Sequence, residues 1–383
     1  MTLTQFVAKN AFRNRRRSVL TMLSIGFSLL LLTLMMTVYR SFYMSKGSPE
    51  SSLRLITRNR VSLVFFLPIY YRDKIKAVPG VVEVVPASWF GGLYLDQKPE
   101  HFFAQFGTDP EDFFKVYNTW QIPPDQLTAW QHDQAGAVAS DALAARQGWK
   151  IGDRIVIKRN IYPVDLELTL RGLYHANEPA DSLYFNMKYV EEAVPRAKGT
   201  AGIFDIRVDS AAAVPRVAAA IDAMFKNAPR QTKTESEKAF QLGFVNSLGN
   251  VKAFILGISL AVVFAILLVS ANTMAMSIRE RVREVAVLKT LGFRRQTILK
   301  LFVGEAVTVA LVGGLLGALA AGLLVSAIAH SPSMGFFFAG VAVNLPTLAV
   351  AGLVSALVGL ASAFLPSYRA SRMGIVEGLR HIG

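Results

Sequence analysis

Arg279-Glu280-Arg281-Val282-Arg283-Glu284-Val285-Ala286-Val287-Leu288-Lys289-Thr290-Leu291-Gly292 is a short charged stretch between two long apolar ones. Its period is helical. Val282, Val285 and Ala286 fall on one face with Leu288 and Leu291 beside them, while Arg279, Glu280, Arg283 and Glu284 lie elsewhere. Glu280/Arg283 and Arg281/Glu284 stand at i,i+3 and support the turn weakly. Gly292 supplies a left-handed stop, and Arg294-Arg295 opens a second helical run. The pattern predicts a stiff amphipathic helix at the mouth of two membrane spans, with a surface that a soluble partner can push. A solvated turn held on one side of the membrane by its charge fits the same pattern.

The chain around this stretch is 52% hydrophobic over 383 residues, too apolar for a purely soluble protein. Four segments meet the length of about 20 apolar residues that a helix needs to cross a bilayer. They are residues 18–38, 253–278, 301–329 and 348–365, of which only the third holds a charge, Glu305. The fourth is bounded by Pro346 and Pro366. The 18–38 run is longer than the 7–15 residues of a signal peptide core, and no small-x-small site follows it, so it reads as a retained anchor.

Orientation follows from the positive residues. Lys9, Arg13, Arg15, Arg16 and Arg17 precede the first span without any acid, and the 279–300 bridge holds seven Lys/Arg against Glu280 and Glu284. The tail at 366–383 carries Arg369, Arg372 and Arg380 against Glu377, whereas the 330–347 loop has no Lys or Arg. Both termini and the bridge are therefore expected in the cytoplasm, and residues 39–252 outside. The net charge of +14 lies beside the spans, so membrane orientation and contact with anionic headgroups account for it without nucleic acid. The expected architecture is a membrane protein with four transmembrane α-helices and a large mixed α/β extracytoplasmic domain between helices 1 and 2.

Residues 1–17 carry Leu3, Phe6, Val7 and Ala11 at helical spacing, an amphipathic helix on the cytoplasmic face. In the outer segment, Arg72 to Val78 reads as a helix closed by Pro79-Gly80, followed by a strand over Val81-Val82-Glu83-Val84-Val85. Residues 102–134 are aromatic and polar without a clear period and suggest a projecting second lobe. Residues 140–147 read as helix, then Gly148-Trp149-Lys150-Ile151-Gly152-Asp153 turns into a strand. Further strands are expected over 166–170, 182–185 and 203–208, with a helix over 210–226 that holds Pro215 in its first turn. Residues 237–278 contain no proline and suggest one continuous stalk from the outer domain into the second span.

In the third span Gly313-x-x-x-Gly317 offers a small-residue face, and Gly352 and Gly359 offer one in the fourth; helix packing within the chain is the favoured use, pore lining the other. Glu305 is read as a structural carboxylate at a helix amino-terminus near the membrane surface, where the dipole favours it. Zero cysteines exclude disulfides, thiolate metal sites and cysteine nucleophiles. The chain has no Gly-x4-Gly-Lys-Ser/Thr loop, His-Glu-x-x-His or Gly-x-Ser-x-Gly motif, and its five histidines are scattered. No catalytic, metal or cofactor site is expected, and energy from ATP would have to come from another polypeptide.

The 279–292 run closely resembles the cytoplasmic loop of FtsX-like, MacB-type ABC transporter permeases. Asn10 to Gly26, Val78-Pro79-Gly80-Val81, residues 148–157 and the tail Leu365-Pro366-Ser367-Tyr368-Arg369-Ala370-Ser371-Arg372 resemble other parts of that family. Ile375 stands where the family usually has proline, and Gly378 where it usually has alanine. The resemblance implies that Arg279, Glu280, Arg281, Arg283, Glu284, Val285, Leu288, Lys289, Leu291 and Gly292 couple the chain to an ATPase. It also implies a homodimer bound to two copies of a separate ABC ATPase that holds ATP and Mg, in the inner (cytoplasmic) membrane. The implied function is mechanotransmission, with ATP-driven motion reaching the outer domain to export a substrate through a periplasmic adaptor and outer-membrane channel. Extraction of lipoproteins or lipids from the outer leaflet, regulation of a cell-wall hydrolase, and an ATP-independent receptor are the alternatives.

Overall fold

A computed structural model describes residues 15–44, 48–177, 180–247, 249–329, 331 and 341–380. The amino-terminal amphipathic helix, most of the 330–347 loop and the last three residues lie outside the described residues. The chain forms two compact units: the long helices with the segments that join them, and the segment between the first and second of those helices.

The first unit holds four helices long and apolar enough to cross a membrane, at Arg15–Tyr39, Val251–Glu280, Arg295–Ala329 and Leu345–Arg372. A π-helical turn, Arg40–Met44, extends the first. All four contribute to one core, in which Ile25 and Leu29 meet Ile266, Ala310 and Val358. Their opposite faces expose Leu23, Phe27, Phe264, Leu323 and Leu353, as suits helices solvated by lipid. Pro366 does not end the fourth span, as its position beyond the apolar run suggested; it lies inside a helix that continues to Arg372. The helix carries on because Ser367, Ala370 and Ser371 are buried beyond it, and this packing outweighs the lost backbone hydrogen bond.

The second unit is built on a ten-stranded mixed sheet. Its strands are β1 (Arg54–Asn59), β3 (Val81–Trp89), β4 (Leu93–Tyr94), β5 (Ala104–Thr108), β6 (Gly136–Ser140), β7 (Arg154–Lys158), β8 (Leu166–Tyr174), β9 (Ser182–Asn186), β11 (Ile203–Val208) and β12 (Thr232–Ser236), in the order β12-β1-β11-β3-β5-β9-β6-β8-β7-β4. β2 (Leu67–Pro68) and β10 (Thr200–Ala201) form a separate short pair. β5–β9 and β6–β8 are parallel and the other pairs antiparallel. On one half of the sheet the Tyr71–Lys76 and Val214–Met224 helices close a core around Leu55, Val84, Phe204 and Ile206. On the other, the Asp141–Gln147 helix, capped by Ser140, closes one around Ala139, Leu168 and Phe185.

Two further expectations do not hold. Residues 102–134 are not a projecting lobe. They supply β5, central in the sheet, and Phe113, Trp120 and Trp130, which pack with Tyr174 and Tyr184. Large aromatic rings meet at many angles, so this core needs no period in the sequence. The stalk is also not continuous. A helix over Glu237–Ser247 ends before Gly249, whose φ is +113°, and Asn250 caps the second span by accepting from the Ala253 N–H at 3.0 Å. Glycine reaches that backbone conformation at little cost, and a short side chain that bonds its own backbone favours a fresh start.

Candidate coupling site

The second-span helix stops at Glu280 because Arg281 leaves helical geometry, with φ −108° and ψ 14°. A new helix runs over Val282–Thr290, Gly292 takes φ +88°, and the third span begins at Arg295. The bridge is therefore a short helix with a break at each end. Val282, Val285 and Ala286 are buried, as their spacing predicted, and Val285 joins Ile278, Ile298, Phe302 and Ala370, with Leu288 at the margin. Leu291 departs from expectation. It follows the last helical turn, swings off that face and is 70% exposed. Val287 and Phe293 are exposed near it, as are Arg283, Arg294 and Arg295, so the tip is apolar at its centre and basic around it.

Polar contacts tie the bridge to its surroundings. The Arg281 guanidinium donates to Glu305 Oε2 at 2.8 Å, and both side chains are nearly excluded from solvent. Arg281 thus points inward, away from the exposed tip. Glu305 stands well inside a helix that starts at Arg295, so the helix-terminus explanation for it does not hold; the partner that keeps it is Arg281. Lys289 Nζ donates to the carbonyl of Met373, the residue that caps the fourth span, where a cation complements the helix dipole. Burial and the neighbouring Arg295 lower the Lys289 pKa. The tail helix, Ile375–Arg380, packs on the bridge helix despite lacking proline at its start, and the Arg372 guanidinium sits 4.5 Å from the Tyr368 ring centre. Bridge, third span, fourth-span end and tail form one packed body.

The small residues above it set how closely the helices approach. A Cβ on Gly317 would fall 2.1 Å from the Gly26 carbonyl oxygen, and one on Gly313 2.8 Å from that of Met22. A Cβ on Gly359 would meet Val307 Cα at 2.8 Å. Gly352, expected in the same role, faces open space. The packed stripe is Ala351, Ser355, Gly359, Ala363 and Ser367, each four residues apart, and Gly352 is one position off it. Along this seam the Ser355 hydroxyl donates to the Ala310 carbonyl at 2.5 Å, and Ser270 to Ser362 at 2.9 Å.

Gly26, the Arg281–Glu305 pair and the Lys289–Met373 contact were not singled out from sequence. The one signal available was Glu305 itself, a lone acid in an apolar run beside a bridge rich in arginine. Among the described residues no group of three or more His, Asp or Glu is placed to hold a metal ion.

Two family models cover most of the chain. The MacB-like periplasmic core domain matches residues 18–224, more than half of the sequence, and the FtsX-like permease C-terminal domain matches residues 254–375. The chain belongs to the FtsX-like, MacB-type ABC transporter permease family. This permease is 25% identical over 397 residues to an uncharacterized ABC transporter permease of Methanocaldococcus jannaschii, covering 98% of its own length and 96% of that protein's. It is 37% identical over 111 residues to the macrolide export ATP-binding/permease protein MacB of Bordetella avium, a match covering 28% of this permease and 16% of the relative. Among solved structures, the periplasmic region of MacB from Actinobacillus actinomycetemcomitans aligns with 51% of this permease and 94% of that chain, at 11% identity and a TM-score of 0.37. This permease is a multi-pass membrane protein with a sheet-rich extracytoplasmic domain inserted between its first two spans.

Proposed function

We propose that this permease converts ATP hydrolysis by a separate ATPase into movement of its outer domain, working as a homodimer with two ATPase copies. The bridge carries the reading: a short helix rigidly held on one face and exposed at an apolar, basic tip. In this reading Val287, Leu291 and Phe293 enter a groove on the ATPase, Arg283 and Arg294 meet acids at its rim, and ATP and Mg stay in the partner. Arg281 and Val285 act from beneath, holding the helix in place. The excess of arginine beside the bridge supports a cytoplasmic location for it and for both termini, in the inner membrane. The Bordetella relative, whose name joins ATP binding to export, supports export of a substrate, for which we propose a periplasmic adaptor and an outer-membrane channel as further partners.

Co-purification from native membranes tests the reading. An ATPase recovered in equal amount supports it, and an adaptor beside it supports export. A lipoprotein carrier or a cell-wall hydrolase in the adaptor's place would redirect the function to lipid extraction or hydrolase control. Absence of any ATPase, with and without a non-hydrolysable nucleotide, would leave an ATP-independent receptor. Glu284→Lys and Gly292→Val are expected to insert normally yet lose the link between ATP hydrolysis and function; unchanged activity in both would remove the bridge from this role.

A further inference from the structure

The root of the Glu237–Ser247 helix rests on a buried charge cluster that the coupling reading does not use. Arg54, on β1 and 2% exposed, donates from Nε to Glu237 Oε2 at 2.6 Å. Its guanidinium also lies 4.9 Å from the ring centre of Tyr117. On the neighbouring strand, β11, Asp205 is 5% exposed and lies on the same face of the sheet as Arg54, with the Tyr117 hydroxyl favouring its ionised form. Arg207, two residues along β11 on the same face, is paired in register with Arg54 on one side and Glu83 on the other, and Lys76 neutralises Glu83 at 2.6 Å. Tyr184 closes the cluster from β9. Asp205, buried one strand over on the same face, and Glu237, at the partly exposed edge of the site, thus flank Arg54.

We propose that Asp205, Arg54 and Glu237 form a proton-linked latch that clamps the start of the Glu237–Ser247 helix to the sheet when Asp205 is protonated and loosens it when Asp205 ionises. Neutral Asp205 does not contend with Glu237 for the Arg54 guanidinium. Ionised Asp205 repels the Glu237 carboxylate and competes for the same guanidinium. Burial, and next the Glu237 charge, push Asp205 up to about 7, while Arg54 and the Tyr117 hydroxyl pull the other way. The sign is fixed by this direction. A carboxyl that binds its proton more tightly in the closed form stabilises that form at low pH, and the contribution is lost as pH rises through the raised value. The latch therefore opens as pH rises from the ordinary carboxylate range toward about 7, and is fully loosened above that. The strand before the helix is held independently by Arg58–Glu235 at 3.1 Å, so opening is confined to the helix.

Hydrogen exchange on the full chain in lipid nanodiscs tests this without any partner protein. Protection of the amides of residues 238–247, corrected for the intrinsic exchange rate, is expected to fall between about pH 4.5 and about pH 7, by up to about tenfold per pH unit, and to level off above. Asp205→Asn is expected to hold the protected level across the range, with β6 and β8 exchanging as in the parent. Tyr117→Phe, which removes a hydroxyl favouring the ionised form, is expected to move the midpoint to higher pH. A flat parent profile, or an Asp205→Asn profile that follows the parent, would overturn the latch. Should Asp205→Asn fail to fold, an unshifted midpoint in Tyr117→Phe would overturn it instead.

Discussion

Arg281 and Glu305 illustrate why a buried ion pair is better judged by what happens when half of it is lost. Assembling the pair yields little net stability, because both charges surrender water, but removing one partner strands the other and costs about 3–5 kcal/mol. Glu305→Ala is therefore expected to lower the thermal stability of the detergent-solubilised chain markedly, and Arg281→Met with Glu305→Leu together to recover much of the loss; a double variant no better than Glu305→Ala would remove the pair as the cause. Gly317 and Gly352 form a second contrast. Gly317→Val drives a side chain into the Gly26 backbone, which cannot yield as a flexible side chain would, and should cost more than the roughly 1–3 kcal/mol usual for overpacking, whereas Gly352→Val should be close to neutral. Equal melting temperatures for the two would refute the packing stripe. The small-residue spacing of Gly313 and Gly317 was readable in the sequence, but Gly352 and Gly359, seven apart, looked equivalent there. Only the facing helix separates them.

The elements that the sequence reveals are those whose burial is apolar and local. The four spans, the bridge helix and strands such as Ile203–Val208 show their period directly. β12 does not. Its Thr232 and Thr234 are buried by hydrogen bonding to Asp222, at 2.9 Å each, and Thr57 Oγ1 lies 2.9 Å from Thr234 Oγ1, so a polar Thr-Lys-Thr-Glu-Ser run sits in a sheet with no hydrophobic alternation to announce it. Asp222→Ala should leave these two hydroxyls unsatisfied and cost about 1–3 kcal/mol, seen as early hydrogen exchange along β12; unchanged exchange there would show that the threonines find other partners. The break at Gly249 was missed for a related reason. A lone glycine within a long helical pattern is ambiguous until the backbone shows which side of φ it occupies.

Each of the two units has its own hydrophobic core, and the outer one lacks any cysteine to staple it. Residues 48–247 expressed alone are expected to give a water-soluble domain with one cooperative melt; aggregation or a non-cooperative melt would show that the spans complete its core. Two cores joined through short connections also make the chain's mechanics depend on those connections. On the second-span side the connection is Gly249 and Asn250, where one helix has ended and the next is newly capped. A joint of this kind is expected to pass a pull along the second span and to lose a tilt or twist in the backbone dihedrals of Gly249 and Asn250. Under the proposed coupling, displacement along the helix axis, rather than its rotation, would be the quantity that such a joint hands on.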